Sequence, residues 1–236
     1  MHILSEHDTI KYLLQHKCSI ARYGDGEIKL CFGRNAMSQV ACSEIGKDLR
    51  RILKSKDDRC LVGIPRILER RKWSTADKKK FWMKYTSPKV MSLYNPTKLY
   101  GSAFITRPDA SPEIDNKEYF DLVKQLWIGK RVILIQGEYQ RFNKSKTLLG
   151  CANQVHVVCE PKRDAYFHLK DIIPYIKDNT DENTVVIVSL GPAATVLCFE
   201  LAKLNIQALD LGHMGQFYSN CHPKSRNYTG EPFELN

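Results

Sequence analysis

Apolar positions along the chain fall into two alternating textures. Nearly unbroken Val, Ile and Leu runs stand at 60–65 (CLVGIP), 130–137 (KRVILIQG), 154–161 (QVHVVCEP) and 183–191 (NTVVIVSLG). Such runs predict strands buried on both faces, as in parallel sheets. Shorter segments at 19–23 (SIARY) and 206–213 (IQALDLGH) read the same way, and 98–106 (KLYGSAFIT) reads as strand or loop. Between them, apolar residues recur every three or four positions, predicting helices over 6–16, 43–55, 75–85, 116–127, 165–178 and 192–204. In 43–55 the apolar residues Ile45, Leu49 and Leu53 share one face, with Ser43 as a candidate N-cap. Pro174 marks a break within 165–178. Strands alternating with helices predict βαβ units, hence an α/β domain with a mostly parallel sheet flanked by helices. No linker or internal repeat divides it. Residues 1–222 form the single predicted domain, 223–236 an extended tail, and 86–115 an irregular stretch suited to an active-site loop.

Composition narrows the function classes. The chain has 236 residues and a formal net charge of +10, so polyanionic partners must be considered. Its basic residues are dispersed: RRILKSKDDR, ERRKW and KKKFWMK lie between 50 and 84, mixed with acids and apolar residues at helical spacing. Solvated helix faces account for this pattern better than a nucleic-acid groove. Attraction to a phosphorylated small molecule, or peripheral contact with an anionic membrane, is the third reading. Trp73, Phe81, Trp82 and Tyr85 in the same stretch keep open a basic nucleotide- or nucleic-acid-binding module without turnover. The packing of a helix core accounts for them better. Eight cysteines without a CxxC pair predict buried free thiols in a reducing, cytoplasmic setting, not a zinc site or disulfide scaffold. No apolar run reaches the length of a membrane span, and MHILSEHDTI lacks the features of a signal peptide. No GxGxxG comes after a strand, which disfavours dinucleotide-dependent oxidoreduction.

Ligands of open α/β sheets bind at the carboxyl ends of strands, so the residues just beyond each strand matter most. After SIARY come Gly24, Asp25, Gly26 and Glu27, with Arg22 just before them. This GDGE segment has three readings: a plain turn, paired carboxylates for acid–base catalysis, or a divalent cation held with the help of substrate phosphates. Arg22 suits a diphosphate neighbour. After VVIVSL come Gly191 and Pro192, opening a helix. Proline at the first helical position costs nothing, and the amides of Ala193 and Ala194 there suit a phosphate. An ordinary strand-to-helix turn fits as well. After VILIQ come Gly137, Glu138 and then Arg141: a salt-bridge pair, or a base and a diphosphate clamp. Arg107, in ITRPD, is a solvated loop arginine or a second clamp. After IQALDL come Gly212 and His213, the latter structural, a metal ligand or a phosphate contact.

Several of these segments together resemble the GT-D fold glycosyltransferases, over roughly residues 5–220. The resemblance rests on SIARYGDGEI, YGSAFITRP, VILIQGEYQRF with VVCEPKRDAY, and VVIVSLGPAATVLCFELAKLNIQALDLGH. It implies a Rossmann-like sheet and a Mn²⁺- or Mg²⁺-dependent transferase. The donor implied is a nucleotide sugar, UDP-sugar first, and the acceptor a glycan, glycoprotein or glycolipid. An Asp-x-Glu motif replaces the Asp-x-Asp of other sugar transferases, so Asp25 and Glu27 would hold the metal and the donor. Arg22, Gly24, Gly26, Arg107, Arg141, Gly191, Pro192, Ala193 and Asp210 would line the site, with His213 as a further metal ligand. Glu138 and Asp210 are the candidate bases for the acceptor hydroxyl. The chain departs from the family in two places. RFNKSKTLLG lacks the glycines and Asn-Asp expected after the central arginine, and HMGQFYSN lacks the acids often found after the histidine. The donor side is thus better kept than the acceptor side.

Overall fold

The computed structural model describes residues 1–66, 87–107, 115–138, 142, 146–161 and 163–221. The basic helix expected over 75–85, the aromatics within it, Arg141 and the 223–236 tail lie outside these residues. The described strands are β1 (His2–Ile3), β2 (Ser19–Arg22), β3 (Cys60–Ile64), β4 (Leu99–Ser102), β5 (Arg131–Gly137), β6 (Gln154–Glu160), β7 (Thr184–Ser189) and β8 (Ala208–Asp210). They form one sheet in the order β1-β4-β3-β2-β8-β7-β5-β6. Every pairing is parallel. The chain winds outward from β2 through β3 to β4, and inward from β7 to β8. The β2/β8 boundary is therefore where the winding reverses, the position at which such sheets open a crevice.

Alternation along the strands sends successive side chains into two apolar layers. Ile133, Ile135, Val186 and Val188 enter one layer, with α2 (Asp25–Cys31), α3 (Ser43–Lys54), α5 (Leu169–Asn179) and α6 (Pro192–Lys203). Val132, Leu134, Val185 and Ile187 enter the other, with α1 (Glu6–His16), α4 (Asn116–Lys124) and α7 (Met214–Cys221). Cys18, Cys31, Cys60 and Cys198 are buried free thiols within these layers, whereas Cys159 is exposed.

Several local expectations change. Ser43 does not cap α3: Cys42 occupies that position, and the Ser43 hydroxyl donates instead to Glu44 at 2.7 Å. Pro174 does not break α5, which runs through it. Pro174 and Lys170, the residue whose carbonyl loses its partner, are both exposed, so water solvates the freed group. The final strand is only Ala208–Asp210, because Gly212 turns the chain with φ +44° into α7. The 98–106 segment resolves into β4 followed by a 3₁₀ turn, Ala103–Thr106.

Candidate active site

The GDGE segment is a helix start and not a flexible hinge. Gly24 is the N-cap of α2, and the Glu27 carboxylate accepts the Gly24 N–H at 2.6 Å. That contact satisfies one of the orphan donors of the helix start, and acids in a first turn also suit the helix dipole. The two acids then diverge. Asp25 is partly exposed and meets Lys29 Nζ at 2.7 Å, one turn on. Glu27 is buried at 9% exposure. Burial pushes its carboxyl up to about 7; the Asp210 charge adds to this, while the Gly24 N–H and Arg22 oppose it.

Beside α2 stands the start of α6. A Cβ on Gly26 would lie 3.4 Å from both Pro192 Cγ and Ala36 Cβ, so the two helix N-termini abut. Gly191 has φ +56° and ψ −140°, and a Cβ there would come 2.7 Å from Ser38 Oγ. No side chain caps this start. The amide of Ala194 is not available to a ligand as the sequence suggested, because it donates to the Gly191 carbonyl at 2.9 Å. The wall carrying Ser38 is bolted by Asp164. Its Oδ1 accepts the Val40 N–H at 2.7 Å, and its own N–H donates to the Ser38 carbonyl at 2.9 Å.

Arg22 and Asp210 join β2 to β8. The guanidinium Nη2 meets Asp210 Oδ1 at 3.0 Å, and the Arg22 N–H donates to Oδ2 at 3.2 Å. Both carboxylate oxygens are therefore engaged. Burial raises the Asp210 carboxyl above its ordinary range, against the lowering effect of Arg22. Arg22 Nη1 also donates to the Ala103 carbonyl and Thr106 Oγ1, at 2.9 and 3.0 Å, and Thr195 Oγ1 donates to the Arg22 carbonyl at 2.8 Å. Gly212 lies against this guanidinium: a Cβ there would fall 2.5 Å from Nη2.

The remaining candidates stand around this centre. Arg107 follows Thr106 and stacks over the Phe217 ring at 4.9 Å. Glu138 is exposed at the end of β5, its N–H donating to the Glu160 carbonyl. His213 is exposed, and its carbonyl accepts the Gln216 N–H at 3.0 Å to open α7. Among the described residues, no three His, Cys, Asp or Glu side chains gather into a metal site, so His213 does not complete one with Asp25 and Glu27. Sequence reasoning missed Ser38, Thr106, Asp164 and Thr195. Only Thr106 carried a signal, its place beside Arg107.

A parallel sheet whose switch point carries buried carboxylates beside two helix starts defines a class of ligand-binding α/β enzymes. The comparisons specify it: the chain belongs to the glycosyltransferase GT-D fold family, whose sequence model matches residues 20–226. It is 30% identical over 224 residues to the probable glycosyl transferase Gly of Streptococcus gordonii, covering 92% of this chain and 32% of that protein. It is 26% identical over 218 residues to glycosyltransferase GlyD of Streptococcus pneumoniae serotype 4, covering 89% and 26%. The chain thus spans a third or less of the curated relatives it matches. Among solved structures, a new glycosyltransferase from Streptococcus sanguinis superposes with TM-score 0.84 at 28% identity, over 96% of this chain and 87% of that one. The domain of unknown function 1792, described as having a distinct glycosyltransferase fold, superposes with TM-score 0.84 at 26% identity, over 98% and 85%.

Proposed function

We propose that this domain transfers a glycosyl group from a nucleotide sugar, a UDP-sugar first, to a hydroxyl of a glycan or glycoconjugate, in a reducing cytoplasmic setting. The observation that carries this is the meeting of the Asp25/Glu27 helix start with the Gly191/Pro192 helix start at the carboxyl edge of the sheet. The donor set fits Mn²⁺ or Mg²⁺. Asp25 and Glu27 supply hard oxygens, Glu27 keeps Oε1 beside the Oε2 that accepts the Gly24 N–H, and one or two carboxylates plus substrate phosphates suffice for such ions. When bound, the cation would neutralise charge gathering on the departing nucleoside diphosphate.

The chain's own groups do the rest. The bond between the anomeric carbon and the phosphate oxygen breaks, and the electron pair leaves on the diphosphate. The α6 start, with the amide of Ala193 and the open backbone of Gly191, faces that charge. The acceptor hydroxyl gives up its proton as it attacks. Glu138, exposed at the end of β5, is the better base, because both oxygens of Asp210 already serve Arg22. Asp210 therefore positions Arg22, which in turn favours the charged form of Glu27.

Thermal shift with UDP and GDP, each with and without Mn²⁺, tests the reading together with hydrolysis of a nucleotide-sugar panel. Metal-enhanced stabilisation is expected. Asp25→Asn and Glu27→Gln should each lower hydrolysis at least about 100-fold, the scale of losing one transition-state contact. Shifts indifferent to metal, with tight salt-sensitive binding to an oligonucleotide, would favour a non-catalytic nucleic-acid module instead.

A further inference from the structure

Gln136 is fully buried, at 0% exposure, and neither Nε2 nor Oε1 of its carboxamide has a hydrogen-bond partner. Among the described residues only Arg131 Nε is in the same condition. Arg131 stands at the other end of β5, and its Nη1 donates to the Asn179 carbonyl at 2.8 Å. Gln136 is the second-last residue of β5, in register with Ser189 of β7. It alternates with Val132 and Leu134, so it faces the layer of α1, α4 and α7. Ser189 faces the same way, in step with Val185 and Ile187, and its hydroxyl donates to the Gly212 carbonyl at 2.7 Å. Gly212 backs the Arg22 guanidinium. A polar row therefore crosses the carboxyl edge of the sheet: Gln136, Ser189, Gly212, Arg22. Only Gln136 in that row is unpartnered.

Buried polar groups are nearly always paired, and an apolar residue of the same size at this position would carry no desolvation cost. We infer that Gln136 reads the donor substrate. Its carboxamide offers a donor and an acceptor side by side, which suits a group of the same paired character. A hydroxyl of the transferred sugar and the amide edge of the nucleobase both present that chemistry. Gln136 stands one residue short of the carboxyl end of β5, so its contact with the substrate is direct or through one bridging water. This rests on the nucleotide-sugar reading above.

Gln136→Met and Gln136→Leu keep the bulk and remove the orphan. The free variants should melt about 2–4 °C higher than wild type. KM for the nucleotide sugar that wild type hydrolyses best should rise roughly 3- to 10-fold, with kcat nearly unchanged. A weaker thermal shift with the nucleoside diphosphate alone assigns the contact to the nucleobase, and one confined to the intact nucleotide sugar assigns it to the sugar. Unchanged KM and unchanged ligand shifts in both variants overturn the inference, whatever the free protein's melting point. Wild type that neither hydrolyses nor is stabilised by any nucleotide sugar defeats the underlying reading as well.

Discussion

Asp25 and Glu27 sit two positions apart on one helical turn, yet they live in different media. Asp25 is screened by water and by Lys29, whereas Glu27 is buried and held near neutrality by desolvation. The consequence for stability has a definite sign. A carboxyl raised from 4.5 to about 7 on folding is bound to a proton more tightly in the native state. Its contribution is therefore fully present below about pH 4.5 and is lost as pH rises through about 7. Denaturant unfolding of wild type and Glu27→Gln at pH 5 and pH 8 should show the difference. Wild type should lose up to about 3 kcal/mol relative to the variant over that span. A constant gap between the two proteins would mean that Glu27 is not desolvated as described.

At the scale of elements, the site is made where helices begin. The Gly24 cap and the Gly191 turn bring two positive helix ends together, which is why acids and phosphates suit the space between them. Gly191 is required twice over. Its φ of +56° is disfavoured for a side-chain-bearing residue, and a Cβ would strike Ser38 Oγ at 2.7 Å. Gly191→Ala should cost about 1–3 kcal/mol in unfolding experiments. It should also weaken nucleotide-dependent thermal shift, because the strained turn and the displaced Ser38 hydroxyl reshape the start of α6. Unchanged stability would show that this turn can relax to an ordinary conformation.

Across the whole molecule, two half-sheets meet at β2 and β8, whose direct register is the single pair Ile20–Leu209. Side chains reinforce this seam. The Ser19 hydroxyl accepts the Ala208 N–H at 2.9 Å, the Gln207 amide donates to the Cys18 carbonyl at 3.3 Å, and Arg22 grips Asp210. The ligand crevice and the structural seam are thus the same place. Removing one partner of a buried pair leaves the other charge uncompensated. Asp210→Ala should therefore cost about 2–4 kcal/mol, toward the lower end because Arg22 keeps 15% side-chain exposure. It should also depress activity, since Arg22 keeps only its bonds to the Ala103 carbonyl, Thr106 and the Asp210 main-chain carbonyl and loses the carboxylate that fixes Nη2. Full stability in the variant would mean that the seam holds by packing alone.

Much of this architecture was legible in the residues themselves. Unbroken Val and Ile runs such as 185–188 have no stable home except a doubly covered strand, so the parallel α/β sheet followed from local hydrophobicity. Most strand ends followed too, which put Asp25, Glu27 and Gly191 just beyond them, but the last strand stops at Asp210, short of the expected Gly212 and His213. What the chain alone did not disclose was which groups would meet. The pairing of Arg22 with Asp210 spans 188 positions, and the bolt from Asp164 to Val40 spans 124. Such contacts depend on strand order, and order is decided by packing over the entire sheet rather than by any local window. For the same reason only the tertiary structure separated the two acids of GDGE, burying one and leaving the other in water.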